Sequence, residues 1–554
     1  MQTLFSIPGV RLSFPFFPQR CERDRTPLFM CHHHAALGRI LTTTTPNNTT
    51  TAHTYDAAGN LLTTKQSNPS TVTSSTTTYT YDAVGNLLSL TDPVGNTTSY
   101  VYNYLGLVTS ETNENLDTRH FTYDALGRLI SKTDRNERTT TYTYDAAGRL
   151  TSEKWLDSND AVVKTFSYTY NIIGNLLTAG DGTSAYNYTY DDLSRVLTNT
   201  FVFDSQTAVF SYTYDALGRQ TQSALTLNNT ADRTLTTTYD FLGRATSIRQ
   251  HGNITDEIFA EFDHDANGLM TQTRRYEWNA SEEDYTEIAK STLTYNSTNA
   301  VTSITHQKPD GTPIVQHSYT YDETNNIVQY LNSIDGSTTY DYDYLGQLIS
   351  ADYSNIGLND ETYTYDANGN RITANGDNYT TGDNNELTSD GDYTYTYDAE
   401  GNRISKTHKI TGDRTLYEYD HRNRLVRVTD QTYDSETSTY THTQIVEYAY
   451  DYNNIWIRKL LDTDSNGTFD AKTIFIPESY QTTVQLDNTN LSDETPVAVS
   501  HHYLWTPNQQ DKLLADSTSD GVLWTLTDHL GTIRDIIQQT SSGLVTPAHI
   551  IYDA

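Results

Sequence analysis

HFTYDALGRLISKTDRNERTTTYTYDAAGRLTSEKW, residues 120–155, contains the phrase Tyr-Asp-x-x-Gly-Arg-Leu twice, starting at Tyr123 and at Tyr144. A catalytic motif occurs once per active site, whereas a phrase that returns at near-constant spacing marks a structural unit repeated along the chain. The strict form recurs as Tyr55, Asp56 and Gly59; Tyr81, Asp82 and Gly85; Tyr123, Asp124 and Gly127; Tyr144, Asp145 and Gly148; Tyr214, Asp215 and Gly218. It continues as Tyr239, Asp240 and Gly243; Tyr342, Asp343 and Gly346; Tyr365, Asp366 and Gly369; and Tyr397, Asp398 and Gly401. Degenerate copies lie between these, at Tyr102-Asn103, Tyr170-Asn171 and Tyr190-Asp191, and at His264-Asp265 with Gly268. The copies at Tyr321, Tyr419 and Tyr450 carry Asn325, Asn423 and Asn454 where Gly is expected. Asn is the non-Gly residue that best tolerates a left-handed backbone, so the frame survives the exchange.

Ahead of each turn stands Tyr-Thr-Tyr or a close variant, as at 79–81 and 142–144, the period-two alternation of a strand with one face toward an apolar layer. Asp can close a turn onto its own backbone and Gly supplies the positive φ, so Asp-x-x-Gly reverses the chain and Arg-Leu or Asn-Leu starts the return strand. The unit is a β-hairpin. Thr, Tyr, Asn and Asp dominate and no long stretch spaces apolar residues by three and four, so the predicted fold class is all-β. A single hairpin is marginal in water, and the copies are expected to join edge to edge into one long coiled sheet.

Composition fits a thin wall better than a solid core. Apolar residues make up 35%, below the roughly 45–50% of an ordinary globular chain. The 43 Tyr beside 15 Phe argue against disorder and suit a surface that is half dry. A net charge of −34 repels a polyanion, which excludes nucleic acid as a partner. Cys21 and Cys31, the only cysteines, precede the repeats, so no disulfide framework holds the body. No apolar run reaches the length of about 18 residues that spans a bilayer, and residues 1–18 lack the form of a secretory signal.

The phrases Tyr-Thr-Tyr-Asp-Ala-Leu-Gly-Arg at 212–219 and Tyr-Thr-Tyr-Asp-Ala-Asn-Gly-Asn-Arg-Ile at 363–372 resemble the tyrosine-aspartate (YD) repeats of the bacterial Rhs family, also found in insecticidal toxin-complex subunits and in teneurins. The resemblance runs from about residue 37 to 554. It implies a hollow β-shell, or cocoon, with secretion or cell-surface delivery and often an encapsulated effector domain. Residues 503–505 and 526–537 resemble the start of the Rhs-associated core, which in the family continues to a cleavage element and a variable effector. The expected organisation is an irregular segment over 1–36, a repeat shell over 37–460 and the start of the core over 461–554, in a fragment of a longer gene product whose shell is open at the C-terminal end.

Few residues suggest chemistry. Asp92-Pro93-Val94-Gly95 carries the letters of the family's cleavage element but sits between repeats, where Asp-Pro and Gly are turn formers. Cys21, Cys31 and His32 to His34 match no zinc spacing. Asp462, Asp464, Asn466 and Asp470, with Gly467 at the sixth position, resemble the opening of a calcium loop; Thr473 stands where the bidentate Glu belongs, and a plain acidic turn is the alternative. No catalytic spacing appears, and calcium is the one cofactor suggested. The functional expectation is a structural casing without its own effector, not an enzyme. A surface protein that binds carbohydrate or neighbouring cells is the alternative, and a self-cleaving toxin the third reading.

Overall fold

Each YD turn is built from its own side chains. At Asp124, the Gly127 N–H donates to the Asp124 carbonyl (3.0 Å), the Asp124 N–H donates to the Arg128 carbonyl (2.9 Å), and Asp124 Oδ1 accepts the N–H groups of Leu126 and Arg128. Gly127 has φ +78°, and the ladder slips by one residue at the tyrosine, where Tyr123 faces Leu129 and Thr122 faces Ser131. This is a turn closed by a glycine bulge, which also strengthens the local twist. Asn325, Asn423 and Asn454 hold φ of 69°, 57° and 68°, so they replace Gly in the left-handed conformation as expected.

A computed structural model describes residues 31–34, 38–69, 74–252, 257–355, 357–488, 491, 497–507 and 512–551. Among these the chain forms 46 strands and one short 3-10 turn, Asp383–Asn385, with no α-helix. Consecutive strands pair antiparallel throughout, as a meander of 31 strands ending at Asp377–Asn378 and one of 15 strands starting at Thr380–Thr381. Of the expected irregular segment, Cys31–His34 is a strand paired with Ile40–Thr44; Cys21 lies outside the described residues. The 460/461 boundary falls inside the strand Trp456–Asp462, and pairing runs through it.

The meander coils until its second winding lies on its first. Asn47 Nδ2 donates to the Tyr344 carbonyl across 297 residues, Arg119 reaches Glu400 across 281, Tyr186 reaches Asp451 across 265 and His549 reaches Asp335 across 214. The first of these intervals holds about 25 strands, which at ~4.8 Å each gives a perimeter of about 120 Å; the last holds about 20 strands, a perimeter of about 95 Å. The wall therefore tapers toward its C-terminal end. The final strand, Gly543–His549, pairs with Ile533–Thr540 among the described residues.

Core residues concentrate where the windings overlap. One cluster joins Phe201, Phe203, Phe210 and Leu225 to Ile457, Ile474, Ile476 and Leu486. A second joins Ile258, Phe262, Ile288 and Val315 to Leu504, Trp524, Leu526 and Ile537. Among the described residues none before Trp155 belongs to the buried apolar set, so the early strands have no core of this kind.

Candidate functional site: inter-repeat staples, the seam, the free rim and an acidic loop

The conserved letters of the phrase also bind one repeat to the next. Tyr123 OH donates to the Val108 carbonyl (2.8 Å), Tyr144 OH to that of Leu129 (2.7 Å), Tyr214 OH to that of Val196 (2.7 Å) and Tyr342 OH to that of Ile327 (2.8 Å). In each case the acceptor is the residue two past the preceding turn's Gly, or its replacement. Where Arg follows Gly, its guanidinium closes the Asp and crosses to the next repeat. Arg219 Nε donates to Asp215 Oδ2 (2.6 Å), Arg219 Nη1 donates to the Asp240 carbonyl (2.7 Å), and the guanidinium lies 4.9 Å from the Tyr239 ring centre. Such donors hold Asp124, Asp145, Asp191, Asp215 and Asp240 below the usual carboxylate range; for Asp215 the Arg219 backbone N–H is the largest cause. The sequence predicted the turns but not these staples. Their one signal was the Arg that so often follows Gly, because the interval from the Tyr to its acceptor varies with the length of the intervening hairpin, being 15 residues at Tyr123 and 25 at Tyr295.

Opposite the YD turns, the other ends of the hairpins use the same geometry without its letters. Asn113 to Leu116, Asp134 to Glu137 and Asp157 to Asp160 close with φ of 69°, 62° and 60° at non-Gly residues. Asp92 to Gly95 is a turn of this row, with Gly95 N–H donating to the Asp92 carbonyl at 3.2 Å. This opposite row of the first winding meets the YD row of the second, and the early part of that seam is polar. Asp92 Oδ2 accepts Asn385 Nδ2 (2.9 Å) and Asn368 Nδ2 (3.1 Å). Arg138 Nη1 donates to the Asp420 carbonyl (2.7 Å) and Asn136 Nδ2 to Asp398 Oδ2 (2.9 Å).

Glu400 is the most engaged acid of the seam. Its side chain is fully covered and accepts Arg119 Nε (2.9 Å), Arg119 Nη2 (2.6 Å), the Arg135 N–H (2.7 Å) and Asn423 Nδ2 (3.0 Å). Burial is the largest single influence and would raise its pKa, but the donors from Arg119, Arg135 and Asn423 together with the Arg119 charge outweigh it and bring the carboxyl down to about 2. Further along, Trp155 stacks on His421 at 5.1 Å, and Arg422 pairs with Glu153 at 2.8 Å. Other buried polar groups also link the windings: Ser223 donates to Glu478 (2.5 Å), whose acid burial pushes up, and Arg233 donates to the Tyr503 carbonyl (2.9 Å).

The YD row of the first winding has nothing above it among the described residues. There the two central turn positions are apolar and exposed: Val84, Tyr104, Leu126, Ile172, Leu193, Leu217 and Phe241, with Ile172 fully accessible. In the second winding the same positions read Ala367-Asn368, Ala399-Glu400 and His421-Arg422, and are half-buried at the seam. At these turns one frame carries two chemistries, polar side chains where they dock and apolar ones on the free stretch from Val84 to Phe241.

The acidic loop joins the strands Trp456–Asp462 and Ala471–Glu478. It brings oxygen atoms of Asp462, Asp464 and Asp470 within 4.8 Å of one another. Asn466 does not present a free oxygen, because its Oδ1 accepts the Thr468 N–H (2.8 Å) and hydroxyl. Thr473 sits in the ladder opposite Lys459 and Asp487, away from any twelfth ligand position. Asp528 to Gly531 is again a turn, with Gly531 N–H donating to the Asp528 carbonyl at 3.1 Å.

The RHS Repeat family matches residues 36–73, 64–97, 81–118 and 123–154, and the Teneurin YD-shell family matches residues 193–381. No curated protein matches the chain significantly. Among solved structures it is similar to TcdB2-TccC3, at 14% identity and a TM-score of 0.59 over 95% of this chain and 31% of that one. It is similar also to TcdB2-TccC3-Cdc42, at 16%, 0.60, 95% and 31%, and to a Photorhabdus luminescens Tc holotoxin pore, at 15%, 0.59, 93% and 30%. The chain spans about a third of the length of these structures, and at such identity the likeness shows the fold alone. With its turn chemistry, inter-repeat staples and stacked windings, the chain is a tyrosine-aspartate repeat protein of the Rhs type, folded as a YD shell.

Proposed function

We propose that the chain is a structural shell segment of an Rhs-type secreted or surface-delivered toxin or contact system, with no effector of its own. The observation that carries this reading is the pair of unequal rims. A YD row docks on an opposite row wherever the windings meet, and the first winding keeps a YD row whose apolar residues face solvent, in the right frame to receive a further winding. The matched structures contain TcdB2 together with TccC3, and one lacks a hypervariable C-terminal region; by analogy this wall joins another YD-repeat winding and surrounds a cargo. A perimeter of about 120 Å corresponds to a diameter of about 38 Å, and a wall of about 5 Å on each side leaves a bore of roughly 28 Å. That bore suits an extended chain or a domain well under 100 residues, because a 100-residue domain, with a radius of gyration of about 13 Å, is already about 34 Å across. Among the described residues no helix is long and apolar enough to cross a membrane.

Native mass spectrometry of the wild type against the Leu217→Asp, Phe241→Asp double variant tests the rim. The isolated chain should self-associate through it and the variant should not; a monomeric wild type removes the rim argument. Expression in bacteria without an immunity protein should leave growth unaffected. Growth arrest would place an effector activity in this chain, and a glycan-array signal lost on substituting exposed tyrosines would favour carbohydrate binding instead.

A further inference from the structure

The hairpin loop at 462–470 gathers three carboxylates and two buried oxygens that lack a hydrogen-bond partner. Asp462 is 1% exposed; its Oδ2 accepts the Gly467 N–H (3.1 Å), while its Oδ1 is buried and has no hydrogen-bond partner. A buried carboxylate oxygen left unmatched is costly unless something charged or donating completes it. The Ser465 hydroxyl of the same loop is also buried and unmatched. Asp464 and Asp470 add two more carboxylates within 4.8 Å, and like charges so close disfavour the apo loop. None of the three forms an ion pair among the described residues, and the nearby Lys472 is engaged with Asp204 at 2.9 Å.

The loop also has the backbone to present these oxygens inward. Gly467 and Ser465 hold φ of 89° and 54°, and Asp464 Oδ1 accepts the Asn466 N–H at 3.2 Å. The Thr463 N–H (2.7 Å) and hydroxyl (2.5 Å) fix Asp470 Oδ2. Asp470 is tied in turn to the chain beyond the next two strands, its carbonyl accepting the Leu491 N–H at 2.9 Å.

We propose that Asp462, Asp464 and Asp470 bind a single calcium ion. An all-oxygen, carboxylate-rich set selects a hard divalent cation, and an irregular hairpin loop suits the six to eight flexible ligands of calcium better than the strict octahedron of magnesium. This departs from the ligand set suggested by the letters: Asn466 is not a ligand, Thr473 stays in the ladder, and loop carbonyls and water supply the rest. With the bidentate twelfth ligand absent, the affinity falls in the range of about 10⁻⁴–10⁻³ M seen in extracellular modules.

The test is calorimetric titration of the full chain with calcium chloride and, separately, magnesium chloride, comparing wild type with Asp464→Asn, alongside melting curves with and without calcium. Wild type should bind one calcium, magnesium should bind at least tenfold more weakly, and Asp464→Asn should lose at least tenfold in calcium affinity. Without calcium, Asp464→Asn should melt at or above the wild-type temperature, because it relieves repulsion; with calcium, only the wild type should gain. No calcium heat in the wild type, equal binding by the variant, or a variant destabilised equally with and without calcium would each overturn the site.

Discussion

Replacing Glu400 by Ala should open the polar seam without unfolding the repeats. The carboxylate lies covered between windings and takes four hydrogen bonds from Arg119, Arg135 and Asn423. Its loss leaves Arg119 with only Glu111, at 3.0 Å, and strands the Arg135 N–H. Truncating one member of a buried pair costs about 3–5 kcal/mol, and partial access of water to the seam brings the expectation here to about 3. Proton linkage gives a compatible figure: lowering the carboxyl from 4.5 to about 2 corresponds to about 3 kcal/mol at full burial and about 2 after solvent screening. Because the folded pKa is depressed, this contribution is fully present above the ordinary carboxyl value and is lost as the pH falls through about 2. Neighbouring repeats remain paired in their own ladders, so the loss should be local rather than a shift of one global transition. Amide hydrogen exchange should accelerate about 100-fold in the turns at 113–117, 134–138 and 398–402, with little change in the strand Ile258–His264. Arg119→Ala should show a similar map, and the double variant should cost clearly less than the sum. Unchanged exchange in these turns, or equal acceleration at 258–264, would refute the view that Glu400 is a seam residue.

Tyr144→Phe should cost about 1 kcal/mol by removing the hydroxyl donated to the Leu129 carbonyl, read as faster exchange in the strand Leu129–Thr133. Gly148→Ala should cost about 1–2 kcal/mol, all of it conformational, because φ is +82° and the nearest atom to the added methyl is Arg128 Nη1 at 4.0 Å. His549 bridges Asp335 (2.8 Å) and Asp535 (2.7 Å); burial opposes its charge, but these acids prevail and push its pKa up. Its contribution is therefore fully present below the unfolded value of about 6.5 and lost as the pH rises through the higher folded value. Exchange in the strand Gly543–His549, corrected for intrinsic rate, should accelerate across that rise in wild type and not in His549→Gln; pH-independent protection in wild type would refute this.

The sequence determined the local structure, because its instructions act over a few residues. Tyr-x-Tyr alternation, Asp as the turn acceptor and Gly or Asn at the left-handed position fix a hairpin whatever lies elsewhere, and the substitutions at Asn325, Asn423 and Asn454 could be read for the same reason. Composition also forecast a thin wall: 35% apolar content could not fill a solid core, and the core is confined to the overlap of windings. The three loop carboxylates were legible from spacing, because one hairpin loop gathers them. What joins Arg119 to Glu400 or Tyr186 to Asp451 was not legible, since the partners lie 281 and 265 residues apart and their distance depends on accumulated twist over some two dozen strands. For the same reason identical turn frames acquired different fates. Leu217 and Phe241 stand on a free rim while Glu400 and Arg422 are sealed in a seam, because the curvature of the whole sheet, which no single repeat contains, decides which turns meet another winding.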